Sequence, residues 1–143
     1  MYILKTEHSF DSAHFLSNYK GKCGNIHGHR WTVEIEIKSN TLINGGQLDG
    51  MIVDFGDLKA DLKKLVDSFD HALIIQENTM REATLNCIKE DGFNVIMVDF
   101  RPTAENFAEF FFKEMKKFGY QVRRATVYET PTNSAIYEEG SEV

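Results

Sequence analysis

The chain predicts an α+β fold, an antiparallel β-sheet with helices packed on one face, as a single domain over residues 1–143. Two strand patterns follow each other at the N-terminus with no helix between them, which favours a hairpin over a parallel crossover. Helical and strand periodicities then alternate without an internal repeat or a linker-like stretch. At 143 residues and 42% hydrophobic content, the chain is long enough to bury a core of its own.

Residues Tyr2 to Phe10 read as the first strand. From Arg30 to Lys38, Trp31, Val33, Ile35 and Ile37 alternate with polar residues, the period of a half-buried second strand. Asn44-Gly45-Gly46 marks a turn. Asp54 is a good N-cap for a helix whose Phe55, Leu58, Leu62, Leu65, Val66 and Phe69 share a face. Thr79 and Glu82 have capping-box spacing for a second helix running to Asp91, with Gly92 ending it. Asn94 to Phe100 is a third strand. Thr103 caps a third helix that Gly119 terminates. Its Phe107, Phe110, Phe111 and Phe112 cover more than one face, which suits either a thick core within the chain or a contact with a neighbouring subunit. Val122 to Glu129 is a fourth strand, and Ala135 to Tyr137 a short fifth.

A formal net charge of −6 argues against nucleic acid as a partner, since neutralising phosphates takes clustered Lys and Arg. Lys20, Lys22 and Arg30 form one candidate cationic patch and Arg101 another, ordinary surface charge being the simpler reading of each. No apolar run is long enough to span a bilayer, and the N-terminus lacks a signal-peptide core. A cytoplasmic protein with reduced thiols is the expectation.

The densest chemistry is Cys23-Gly24-Asn25-Ile26-His27-Gly28-His29. On one strand, His27 and His29 share a face with Cα atoms roughly 6.5 Å apart, close enough to converge on one ion. His14 follows the first strand, which pairs with the second, and offers a third nitrogen. Three histidines suit Zn²⁺ and leave its fourth position open for catalysis. Cys23 either completes a structural Cys-His₃ site or stands beside the ion as a thiolate base. In Asp70-His71 the carboxylate can orient the imidazole for proton shuttling, a residue pair in a helix-terminating loop being the simpler reading. Glu129 ends the fourth strand, where its carboxylate can accept two adjacent N–H donors in parallel. Cys87 is expected in the core and His8 is read as structural.

In order along the chain, Phe10 to Phe15, Cys23 to His29, Met51 to Lys59, Asp70-His71, Pro102-Thr103-Ala104-Glu105-Asn106 and Tyr128-Glu129-Thr130 resemble the 6-pyruvoyltetrahydropterin and 6-carboxytetrahydropterin synthase family. The blocks span about nine-tenths of the chain. The resemblance implies the tunnelling fold, in which sheets of several subunits join into a barrel with sites between them and a homo-hexamer as the expected assembly. It implies His14, His27 and His29 as zinc ligands and Cys23, Asp70 and His71 as the proton-transfer group. Glu129 would anchor the pterin, with Thr103 and Glu105 near its pocket. Three residues between Cys23 and His27 resemble the carboxy-forming bacterial enzymes of queuosine biosynthesis. The implied substrate is a pterin triphosphate, 7,8-dihydroneopterin triphosphate. The pyruvoyl-forming reaction, or a non-enzymatic zinc- or pterin-binding module, are the alternatives. The Ala72-Leu73-Ile74-Ile75 run and the longer connection to Pro102 depart from the family pattern.

Overall fold

A computed structural model describes residues 1–140. Among the described residues the sheet has six strands, β1 (Tyr2–His14), β2 (His27–Ser39), β3 (Ala72–Gln76), β4 (Val95–Val98), β5 (Val122–Thr130) and β6 (Asn133–Tyr137). Their spatial order is β4-β3-β1-β2-β5-β6. Four of the five expected strands form an antiparallel sheet, β1-β2-β5-β6. The remaining one, expected over Asn94 to Phe100, is β4, and it runs parallel to an unexpected strand, β3, which itself runs parallel to β1. The sheet is therefore mixed. The addition lies in the departing Ala72-Leu73-Ile74-Ile75 run, where Ala72, Ile74 and Ile75 are buried. A strand covered on both faces carries no alternation to betray it.

Helices α1 (Phe55–Asp67) and α3 (Ala104–Lys117) pack on one face of the sheet. The Asp54 carboxylate accepts from the Gly56 N–H at 2.6 Å, and the Thr103 hydroxyl accepts from the Asn106 N–H at 3.2 Å. Leu58, Leu62 and Val66 of α1 and Phe107, Phe111, Phe112 and Met115 of α3 are fully buried against Phe10, Trp31, Val33 and Ile35. Phe110 packs on Phe69 and Phe100 at 5.5 and 5.6 Å between ring centroids. Phe107, Phe111 and Phe112 thus serve the chain's own core, and Phe110 packs against it partly buried. Truncating any fully buried one to Ala costs about 3–5 kcal/mol.

Helix α2 (Glu82–Glu90) starts later than the capping-box spacing implies. Thr79 turns its hydroxyl to the Gln76 carbonyl at 2.6 Å and Arg81 is the N-cap. No residue of α2 is buried, so Cys87 is exposed and not a core residue. His8 is held by Asp67, Nε2 to Oδ1 at 3.0 Å, in keeping with a structural role. No helix among the described residues is long and apolar enough to cross a membrane.

Candidate metal centre and its surroundings

The β1–β2 register pairs His14 with His27, Ser12 with His29 and Phe10 with Trp31. Alternation puts all six on the helix-covered face, with the three imidazoles stacked along the end of the sheet above Trp31. The ring centroids of His14, His27 and His29 are 4.6 to 5.1 Å apart, and Trp31 meets His14 edge-on at 4.9 Å. One nitrogen of each histidine lies within 4.8 Å of the other two.

Backbone carbonyls fix two of the rings. His14 Nδ1–H donates to Pro102 O and His27 Nδ1–H to Asn25 O, both at 2.7 Å. A carbonyl only accepts, so each neutral ring carries its lone pair on Nε2, and these two atoms face each other at 3.1 Å. Burial pushes the His14 pKa down to about 4, despite the Pro102 carbonyl, and lowers that of His29, so these bases are neutral at neutral pH. The third nitrogen, His29 Nε2, is buried without a hydrogen bond. Three converging imidazoles, two with second-sphere acceptors in place and one with a buried nitrogen free of hydrogen bonds, fit a divalent metal with an open position.

Glu129, on β5, turns its Oε1 to within 3.3 Å of His29 Nε2. Together with His29, Arg30, Thr32 and Tyr128 it lines a cleft of 380 Å³. Cys23 lies in a single 3₁₀ turn, Lys22–Gly24, half-buried and free. It is not part of the three-histidine cluster. Thr103 caps α3 beside the Pro102 carbonyl that holds His14, and Glu105 is exposed on the first turn.

Asp70 and His71 stand elsewhere. Asp70 Oδ1 accepts the Asp11 N–H at 2.8 Å, and the His71 N–H donates to Asp11 O at 2.7 Å. Asp70 Oδ2 accepts from His71 Nδ1 at 2.8 Å. This hydrogen bond and the adjoining charge raise the His71 pKa, while the Asp11 N–H is the main cause that lowers that of Asp70. Asp11 alternates with Phe10 and Ser12, so it points to the opposite face from the histidines. There it grips Arg30 through two 3.0 Å bonds, and His71 lines a cleft of 730 Å³ with both. The structure thus gathers His14, His27, His29 and Glu129 on one face and leaves the Asp70-His71 pair on the other.

Of the cationic residues, Arg30 pairs with Asp11 and Arg101 donates inward to Ser17 O, while Lys20 and Lys22 are exposed. The motifs did not single out Asp11 as a clamp, nor the Asn25 and Pro102 carbonyls. Backbone acceptors leave no mark in side-chain identity.

A curled mixed sheet with helices on one face and a three-histidine cluster at its end defines the tunnelling-fold class. A profile of the 6-pyruvoyl tetrahydropterin synthase family matches residues 3–140. The 6-carboxy-5,6,7,8-tetrahydropterin synthase of Haemophilus influenzae is 36% identical over 142 residues, covering 97% of this chain and all of the relative. An uncharacterized protein of Wolinella succinogenes superposes with a TM-score of 0.77 at 20% identity, covering 97% of this chain and 98% of the other. The 6-pyruvoyl tetrahydropterin synthase of Plasmodium falciparum gives 0.72 at 19%, covering 96% and 97%. These two likenesses bear on the fold. The chain belongs to the 6-pyruvoyl tetrahydropterin synthase family and is a lyase.

Proposed function

We propose that the chain converts 7,8-dihydroneopterin triphosphate and water to 6-carboxy-5,6,7,8-tetrahydropterin, acetaldehyde and triphosphate, with zinc held by His14, His27 and His29. The observation that carries this reading is the Glu129 carboxylate 3.3 Å from His29, which sets an acceptor for paired N–H groups beside a metal-type site. The full-length relative from Haemophilus influenzae bears the name of this activity.

When bound, zinc supplies Lewis acidity toward the hydroxyls of the substrate side chain. Glu129 accepts two N–H bonds from the pterin ring and fixes its orientation, with Thr103 and Glu105 bordering the pocket. The Cys23 thiolate removes a proton from the side chain. His71, oriented by Asp70, returns a proton from the other direction. Because His71 and the histidine cluster occupy opposite faces of one sheet, a neighbouring subunit supplies the Asp70-His71 pair to each site. The working form is a homo-oligomer, a hexamer by family expectation, acting in the cytoplasm on a step of queuosine formation.

Mass spectrometry of products from zinc-loaded protein and 7,8-dihydroneopterin triphosphate tests the reading. The expected products are 6-carboxytetrahydropterin and acetaldehyde. A pyruvoyl product would move the chain to the sister reaction, and no turnover by metal-loaded protein would leave a binding module.

A further inference from the structure

The loop between β1 and β2 carries Cys23, and its shape is set by Tyr19. A Cβ atom built on Gly24 would stand 2.8 Å from the Tyr19 carbonyl oxygen, and one on Gly21 3.0 Å from the Tyr19 ring. Only glycine allows the turn on either side of Lys22-Cys23 to lie this close to Tyr19. The Leu16 N–H donates to Cys23 O at 2.9 Å and closes the loop. Within the loop, then, the position of Tyr19 dictates that of Cys23.

Tyr19 and its neighbours are held from outside by Arg101. The Arg101 guanidinium donates through Nη2 to Ser17 O at 2.9 Å and lies over the Tyr19 ring, 5.8 Å from its centroid. The Arg101 backbone is itself anchored, since its carbonyl accepts from Thr103 N–H at 2.7 Å and from Asn106 Nδ2 at 2.9 Å. The next residue, Pro102, holds His14 through its carbonyl. One dipeptide therefore grips a histidine of the metal centre with its backbone and the cysteine loop with its side chain.

We propose that Arg101 is a positioning residue that sets the Cys23 loop in register with the His14 end of the metal centre. The inference rests on the reading of Cys23 as the proton acceptor. Its charge serves this internal contact and not a patch for phosphate.

The test compares full-length, zinc-loaded wild type, Arg101→Ala and Arg101→Lys. It measures zinc content, kcat, KM and the rate at which iodoacetamide alkylates Cys23, with exposed Cys87 as the internal reference. Loss of a charge-assisted hydrogen bond and its stacking partner predicts about tenfold faster alkylation of Cys23 relative to Cys87 in Arg101→Ala. It also predicts about tenfold lower kcat, with KM within about twofold and zinc unchanged. Arg101→Lys falls between, since Lys keeps a donor and the charge but not the planar stack, and it decides the matter should the alanine variant not fold. Unchanged Cys23 alkylation, or a kcat loss that tracks loss of zinc, overturns the proposal. If wild type itself does not turn over, the proposed reaction falls, while the alkylation rates still decide whether Arg101 holds the loop.

Discussion

His14 Nε2 and His27 Nε2 lie 3.1 Å apart while each ring donates its other nitrogen to a backbone carbonyl. Two lone pairs at that distance repel unless a proton or a metal cation sits between them. The pairing is preset by the β1–β2 register, which places the two residues directly opposite each other.

His27→Ala should therefore lower zinc affinity by more than roughly 100-fold, beyond what loss of a supporting second-sphere partner alone causes. Metal analysis after dialysis checks it. Wild type is expected to keep about one equivalent per chain. Full retention by the variant would remove His27 from the ligand set.

His14 bears on the acid stability of metal-free protein. Its pKa is about 4 in the fold against 6.5 as the ordinary value, so between these values the unfolded chain binds more protons. Stability then rises with pH through this window and is lost as pH falls from about 6.5 to about 4. His29, also lowered, acts in the same direction. Melting temperatures of metal-free protein should drop by several degrees between about pH 7 and 5, and by less in His14→Gln. Identical pH dependence in the two proteins would show that His14 is not held neutral.

Much of this arrangement is legible in the sequence because it is local. Alternation from Trp31 to Ile37, the caps Asp54 and Thr103, and the His27-Gly28-His29 pair each follow from spacing, whereas the first strand runs past the Phe10 that its pattern marks as the end and carries His14 itself. β3 leaves no period-two signal because its buried residues do not alternate, and the Thr79-Glu82 spacing marks a helix start too early because the Thr79 hydroxyl closes a turn instead of capping a helix. Cys87 is a core residue by type, yet α2 buries nothing. The separation of Asp70-His71 from the metal centre needed the tertiary register. It depends on Asp11 and Ser12 pointing to opposite faces, which becomes informative only once β3 is known to start beside Ser12.

Asp70→Asn should change the pH profile more than substrate binding. Asp70 raises the His71 pKa through a hydrogen bond and its charge, so His71 stays a proton donor to higher pH than an ordinary histidine. Activity that needs the protonated ring falls as pH rises through that pKa. Removing the carboxylate charge moves this alkaline limb of kcat to lower pH. A limb that stays in place in Asp70→Asn would assign it to another group.

Glu129→Ala should act mainly on binding. A carboxylate that receives paired N–H groups equally in ground and transition states lowers KM, and its loss raises KM by about 10- to 100-fold with a smaller change in kcat. Steady-state kinetics with the pterin triphosphate decide this. Unchanged KM would take the anchoring role away from Glu129. Zinc content should stay near that of wild type, because Glu129 lies beside the histidine cluster but outside it.

The opposite-face placement of the two groups predicts complementation between inactive subunits. His27→Ala lacks a functional metal centre but keeps Asp70-His71, and His71→Ala keeps the metal centre but lacks the proton donor. Each variant alone is expected to be inactive. If every site takes its histidine cluster from one chain and its Asp70-His71 pair from the next, mixed assemblies contain sites that draw both intact halves. With random assembly of equal amounts, each half is intact with a chance of about one half, so roughly a quarter of the sites regain activity. Co-expression of the two variants with different affinity tags, purification of the mixed oligomer and kcat per site measure this. Recovery near a quarter supports a site shared across the interface. No recovery, in oligomers shown to contain both chains, would mean that His71 serves the metal centre of its own chain, and that the loop between α1 and β3 must move around the β1 edge to reach it.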